Sequence, residues 1–174
     1  MNFSIRPARL SDIPELEALI PLSAKILQAE HYSQALIEAA LGPIFAVDSQ
    51  LIEDETYFVA EAEGRIVGCG GWTKRNRPYG GNGGNTLLDP DKDAAVIRAF
   101  FVHPDFARRG IGKALMQASE QAAVSAGFSQ IDMVATLTGE LLYSKFGYEV
   151  SDRYTIPTST DEHMPVVKMS KRFR

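Results

Sequence analysis

The spacing of apolar positions changes character several times along the chain, and each change marks an element. Residues 2–6, NFSIR, alternate as a short strand, and SDIPELEALI then opens a helix with Ser11 or Asp12 as N-cap and Pro14 in its first turn. A second helix is expected from Ser33 to Leu41, where Gly42-Pro43 ends it; the polar bend AEHYS, with His31 and Tyr32, separates the two. From Thr56 to Thr73 apolar and polar residues alternate around Glu63-Gly64, the pattern of an antiparallel hairpin. AAVIRAFFV, residues 94–102, is almost continuously apolar, as a strand covered on both faces must be.

Helical periodicity returns after that strand. Ile111, Ala114, Leu115, Ala118 and Ala122 share one face and Lys113, Gln117, Glu120 and Gln121 the other, predicting a helix over 110–126 closed by Gly127. A strand at 129–135, a short helix from Thr138 to Phe146 and strands near 148–154 and 163–170 complete the chain. The order β-α-α-β-β-β-α-β-α-β-β makes this an α+β fold, a mixed α/β sandwich around one sheet, and a single domain over 1–174. The segment KRNRPYGGNGGNTLLDPDKD is an excursion within that domain; its glycine-rich tip, 80–85, reads as a mobile lid or as disorder.

Charge narrows the field of functions. Eighteen Lys and Arg against 22 Asp and Glu give a net charge of −4, which argues against a nucleic-acid or membrane-surface protein and leans towards cationic partners. The lone Cys69 leaves no intrachain disulfide and no cysteine metal framework, and no apolar run has the length of a signal peptide or of a membrane span of roughly 20 residues. A cytoplasmic protein without a metal is the expectation.

One basic cluster stands out against this acidic background. HPDFARRGIGKALM carries Arg108, Arg109 and Lys113 around Gly110 and Gly112 at the mouth of a helix. A strand leading into such a collar points free backbone amides and the positive end of the helix dipole at one spot, which suits a diphosphate. The same residues also suit a tight turn with a solvated cationic rim. The pattern departs from a P-loop, because Ala114 follows Lys113 and no glycine stands five places before Gly112; a dinucleotide fingerprint needs a third glycine where Leu115 stands.

FFVHPDFARRGIGKALM resembles the acetyl-CoA-binding core of the GNAT superfamily of N-acetyltransferases. The likeness continues through IDMVATLTGELLYSKFGYEV, whose Tyr143-Ser-Lys-Phe-Gly-Tyr148 is similar to the family's terminal Y-x-x-x-G-F/Y signature. The resemblance implies the acyl-CoA N-acyltransferase fold, a mostly antiparallel sheet with helices on both faces. It implies acetyl-CoA as co-substrate, with the pantetheine arm along Phe100, Phe101 and Val102 and the diphosphate on Arg108, Arg109, Gly110, Ile111, Gly112 and Lys113. Two departures are visible: Ala107 replaces the Arg or Gln that usually begins the loop motif, and Thr136 stands where many relatives carry Asn.

The implied reaction is attack of an amine on the thioester, with Tyr143 as the acid for the departing sulfur. The base stays open among Glu61, His31 and a water chain, since the fourth strand has no carboxylate and Ile131 occupies the fifth-strand position. His31, Tyr32 and Trp72, with Tyr79, are candidates for the acceptor wall. The acceptor is a small-molecule or peptide amine, and the protein a monomer or homodimer. Two rival readings remain, a non-catalytic acyl-CoA sensor and an enzyme for a longer acyl-CoA.

Overall fold

The computed structural model describes residues 2–80 and 84–173. Strands β1 (Ser4–Pro7), β2 (Tyr57–Ala62), β3 (Arg65–Thr73), β4 (Ala95–Val102), β5 (Gln130–Thr136), β6 (Glu149–Pro157) and β7 (His163–Arg172) form one sheet in the order β1-β2-β3-β4-β5-β7-β6. Every neighbouring pair is antiparallel except β4 and β5. Alternation along the strands divides the interior into two layers. Tyr57, Val59, Cys69 and Phe101 face helices α1 (Ile13–Leu27), α2 (Gln34–Ala40) and α3 (Ser49–Glu53). Ala60, Val67, Ile131 and Met133 face α4 (Ile111–Ser125) and α5 (Leu137–Lys145) on the other side. This is the mixed sandwich that the pattern predicts, with helices on both faces as the resemblance implies. No helix among the described residues is long and apolar enough to cross a membrane.

Most predicted elements stand within a few residues of their expected limits, and the exceptions have identifiable causes. Asp12 stands at the N-cap of α1 but makes no side-chain capping bond; its carboxylate takes the Arg6 guanidinium at 2.8 and 2.9 Å and the Arg9 amide at 2.7 Å. Helix α3 has no counterpart in the expected order. It is five residues long, too short for a periodic signal, and is started by Asp48, whose side chain accepts from the Gln50 amide at 3.1 Å.

The 74–93 excursion is anchored at its stem. Arg75 bonds Asp54 at 2.7 and 2.9 Å, Arg77 bonds Asp48 at 2.9 and 3.1 Å, and Arg75 bridges to Leu87 across the stem. Residues 81–83 of the tip 80–85, read as lid or disorder, lie outside the described residues.

The feature that makes the site is a break in β4. Its register with β3 slips between Cys69 and Gly71, and Ala99 takes up the extra residue at φ +56°. A non-glycine residue there costs on the order of 1–3 kcal/mol. The Tyr57 hydroxyl, donating to the Ala99 carbonyl at 2.7 Å, helps hold it. Phe100 lies flat on Gly70, where a Cβ would meet the ring at 2.7 Å, so glycine is required opposite the bulge. Beyond it β4 leaves its parallel neighbour: only Ala95 with Ile131 and Val96 with Asp132 are paired.

Candidate functional site

The gap between β4 and β5 opens into a cleft of about 220 Å³. Residues 97–102 of β4 form one wall and 133–136 of β5 the other, with Gly112 of α4 and Gly139, Leu142 and Tyr143 of α5 along the side. The backbone edge of β4 facing β5 has no strand partner here, so an extended ligand can pair with it. Sequence-predicted Phe100, Phe101, Val102, Gly112, Thr136 and Tyr143 are thus brought together. Phe101 does so mainly through its backbone, because its ring is buried edge-on against Phe45 at 5.9 Å.

At the α4 end, Arg108 at φ +61° and Gly110 at φ +88° turn the chain so that the first helical turn faces outward. The earliest amide with an intrahelical partner is Ala114, on the Gly110 carbonyl at 3.0 Å; those of Ile111, Gly112 and Lys113 have no carbonyl four residues back to take them. A Cβ on Gly112 would meet nothing nearer than Leu142 Cδ2, at 3.9 Å. A phosphate can therefore approach these amides closely, and the residues present fit a CoA diphosphate. Arg108 and Lys113 are exposed at the rim, Ile111 is buried under it, and the Arg109 guanidinium lies 5.6 Å from the Phe106 ring centroid.

Tyr143 is half-buried on α5, and burial pushes its phenol up to about 12, so it stays protonated across the physiological range. Its ring lies against Gly139, where a Cβ would stand 2.7 Å from Cε2. Thr136 also serves the helix itself, because its hydroxyl caps α5, accepting from the Gly139 amide at 3.1 Å.

The acceptor-wall candidates are placed differently. Tyr32 is 6% exposed, and its hydroxyl donates to the Pro165 carbonyl at 2.6 Å while accepting from the Leu137 amide at 2.9 Å. It ties the α1–α2 bend to α5 and does not line the cleft. His31 is exposed, with Nδ1 at 3.0 Å from Thr138 Oγ1, and reaches the cleft only through that threonine. Trp72 is 4% exposed, edge-on to Phe128 at 5.8 Å in the α4 and α5 layer, away from the cleft. Tyr79 does line the cleft, as do Leu27, Gln28, Ile44 and Phe45.

No carboxylate lines the cleft among the described residues. Glu61, a base candidate, is bound to Arg6 at 2.5 Å on the β1–β2 edge and is not part of the lining. Asp132 takes Ser170 Oγ at 2.7 Å and Gln130 at 3.0 Å on the outer surface. The residue missed from sequence is Arg98, buried in the lining; a cation inside an otherwise apolar strand was the available signal.

With this geometry in hand, comparison with known proteins is consistent. The family model described as an acetyltransferase (GNAT) domain matches residues 53–150. No curated protein matches the chain. Among solved structures, a GCN5-related N-acetyltransferase from Rhodopseudomonas palustris superposes with a TM-score of 0.74 at 22% identity, covering 99% of this chain and 96% of the other. The PaiA N-acetyltransferase from Thermoplasma acidophilum, solved in complex with coenzyme A, gives 0.68 at 18% identity over 99% of each chain. The ribosomal-protein-S18-alanine N-acetyltransferase from Escherichia coli gives 0.62 at 15% identity, covering 99% of this chain and 94% of the other. At these identities the likeness is one of fold.

Proposed function

Since the chain belongs to the GNAT acetyltransferase family, with its acyl-CoA-dependent transfer, we propose that it is an acetyl-CoA-dependent N-acetyltransferase acting on a primary amine. The observation that carries this reading is one continuous cleft running from Gly112, along the unpaired edge of β4, to Tyr143.

The amides of Ile111, Gly112 and Lys113 hold the diphosphate, with Arg108 and Arg109 beside them. The backbone of Phe100 to Val102 pairs with the pantetheine arm. Acetyl-CoA, when bound, supplies the activated acyl group: the amine nitrogen bonds the carbonyl carbon, the carbon–sulfur bond breaks, and the nitrogen gives up a proton. Tyr143 donates its phenolic proton to the departing sulfur and recovers one from solvent. With no carboxylate on the wall, the amine attacks in its neutral form, and its surplus proton leaves through the open side of the cleft.

Calorimetric titration with acetyl-CoA, CoA, ATP and NAD tests the first step, and CoA release over panels of amines and acyl donors tests the second. CoA-selective, saturable binding followed by turnover is expected, with acetyl preferred over longer donors. Binding without turnover on any amine would favour a sensor, and no CoA binding by a folded sample would remove the reading. Tyr143→Phe should lower kcat by roughly 10- to 1,000-fold and leave acetyl-CoA affinity nearly unchanged.

A further inference from the structure

The acceptor end of the cleft is formed by Leu27, Gln28, Ile44, Phe45, Tyr79 and Arg98, and among the described residues Arg98 is the one charged residue of the whole lining. It stands on β4 immediately before the bulge, and its side chain is 2% exposed. Nη1 donates to Asp48 Oδ2 at 3.2 Å and to the Arg77 carbonyl at 2.7 Å, and Nη2 to the Gly80 carbonyl.

Asp48 is shared. The same carboxylate takes Arg77 through Nη2 at 2.9 Å and Nε at 3.1 Å, as well as the Gln50 amide. Two guanidiniums therefore share this one carboxylate beside the cleft wall. Desolvation pulls Arg98 below the usual arginine value while Asp48 acts the other way.

A desolvated cation on a wall without carboxylates repels an ammonium group and favours an anion. Gln28 adds the complementary half: its Oε1 is buried without a hydrogen-bond partner and belongs to the same lining. An unpartnered buried amide oxygen asks for a donor, which an uncharged amine supplies.

Resting on the transfer reading above, we infer that the acceptor is an amine that carries its own carboxylate: a free amino acid or close analogue with an apolar side group. Arg98 faces the carboxylate, Gln28 receives the amine N–H, and Leu27, Ile44 and Phe45 enclose the side group. The positive wall also lowers the pKa of the incoming ammonium, which favours the neutral nucleophile that a cleft without a carboxylate base requires. A cation on the wall also makes polyamines poor acceptors.

The test uses matched ligands on the full chain. Leucine, methionine and phenylalanine are each compared with the corresponding amide and decarboxylated amine, with spermidine alongside, by CoA release. Separately, CoA-loaded protein is titrated with N-acetyl-leucine and N-acetyl-leucinamide. The expected kcat/KM is roughly 10-fold or more higher for the acids than for their amides or amines, with a similar preference for the acetylated acid in binding.

Arg98→Gln should bring that preference close to unity and Arg98→Lys restore part of it, a ratio that loosened packing alone would not move. Should Arg98→Gln fail to fold, the wild-type ligand series decides. Amides, simple amines or spermidine equalling the acids, or equal binding of the two acetylated ligands, would overturn the inference. Loss of turnover on every amine while N-acetyl-leucine still binds selectively would strike at the transfer reading and leave the carboxylate site supported.

Discussion

Replacing Gly112 separates a phosphate cradle from an ordinary helix start. Gly112 is the second residue of α4, its φ is not in the left-handed region, and a Cβ would meet only Leu142 Cδ2 at 3.9 Å. For the free protein Gly112→Ala is therefore sterically permitted, and the smaller entropy of its unfolded chain should stabilise it by about 0.4–1 kcal/mol. For a chain of this size that raises Tm by roughly 1–4 °C. If a diphosphate rests on the amides of Ile111, Gly112 and Lys113, the same methyl group holds it away. Losing one charge-assisted hydrogen bond costs about 1.5–3 kcal/mol, or roughly 10- to 150-fold in Kd.

Gly112→Asp goes further, because like charges about 5 Å apart at an effective dielectric near 20 repel by about 3 kcal/mol per pair. Calorimetric titration with CoA, paired with thermal melts, reads both quantities on one sample. The expected signature is a more stable protein that binds CoA more weakly. An alanine variant with unchanged CoA affinity would refute the cradle and leave Arg108, Arg109 and Lys113 as a solvated rim.

Other expectations probe different parts of the molecule. Gly139→Ala improves helix propensity by about 1 kcal/mol but places a Cβ 2.7 Å from the Tyr143 ring; kcat should fall in a protein that still melts cooperatively, and an unchanged kcat would detach the ring's position from the chemistry. Arg6 holds Asp12, and Arg75 holds Asp54, below the usual carboxylate range, chiefly through hydrogen bonds. Their stabilisation is complete above the unfolded value of about 3.9 and is lost as pH falls through the lower folded values, so acid melts of Asp12→Asn with Asp54→Asn should show a shallower loss than wild type. Burial pushes the Cys69 thiol up to about 12, and a thiol reagent should label it only when denaturant opens the fold; rapid labelling of native protein would contradict its placement in the core.

How much of this is legible in the sequence depends on the range of the forces involved. The β2–β3 hairpin and α4 are local patterns, a period of two around Glu63-Gly64 and a stripe through Ile111, Leu115 and Ala122, and they appear where expected. The bulge at Ala99 has no local signature. It depends on Gly70 and on the Tyr57 hydroxyl, 29 and 42 residues away in the chain, and alanine advertises nothing about a positive φ. Tyr32 reads as an acceptor-wall residue because the resemblance puts its bend on the acceptor side, yet both of its hydrogen bonds run to segments more than 100 residues later. Trp72 fits the apolar alternation of β3 equally well as wall or core, and only the strand order decides for core. Arg98 is visible as a cation in AAVIRAFFV, but the meaning of its charge requires Asp48 and Arg77 beside it.

The two residue pairs joining β4 to β5 also make a hinge line. On one side β1 to β4 form a continuous antiparallel leaf with α4 against it; on the other β5, β7 and β6 form a second leaf carrying α5. The two are stitched at the closed end, where Trp72 meets Phe128, and stand apart at the other. A ligand lying in the gap touches both leaves at once and acts as a splint between them. Amide exchange along residues 97–102 and 133–136 is then a gauge of occupancy, slowing as the leaves are pinned, whatever acyl group the ligand carries.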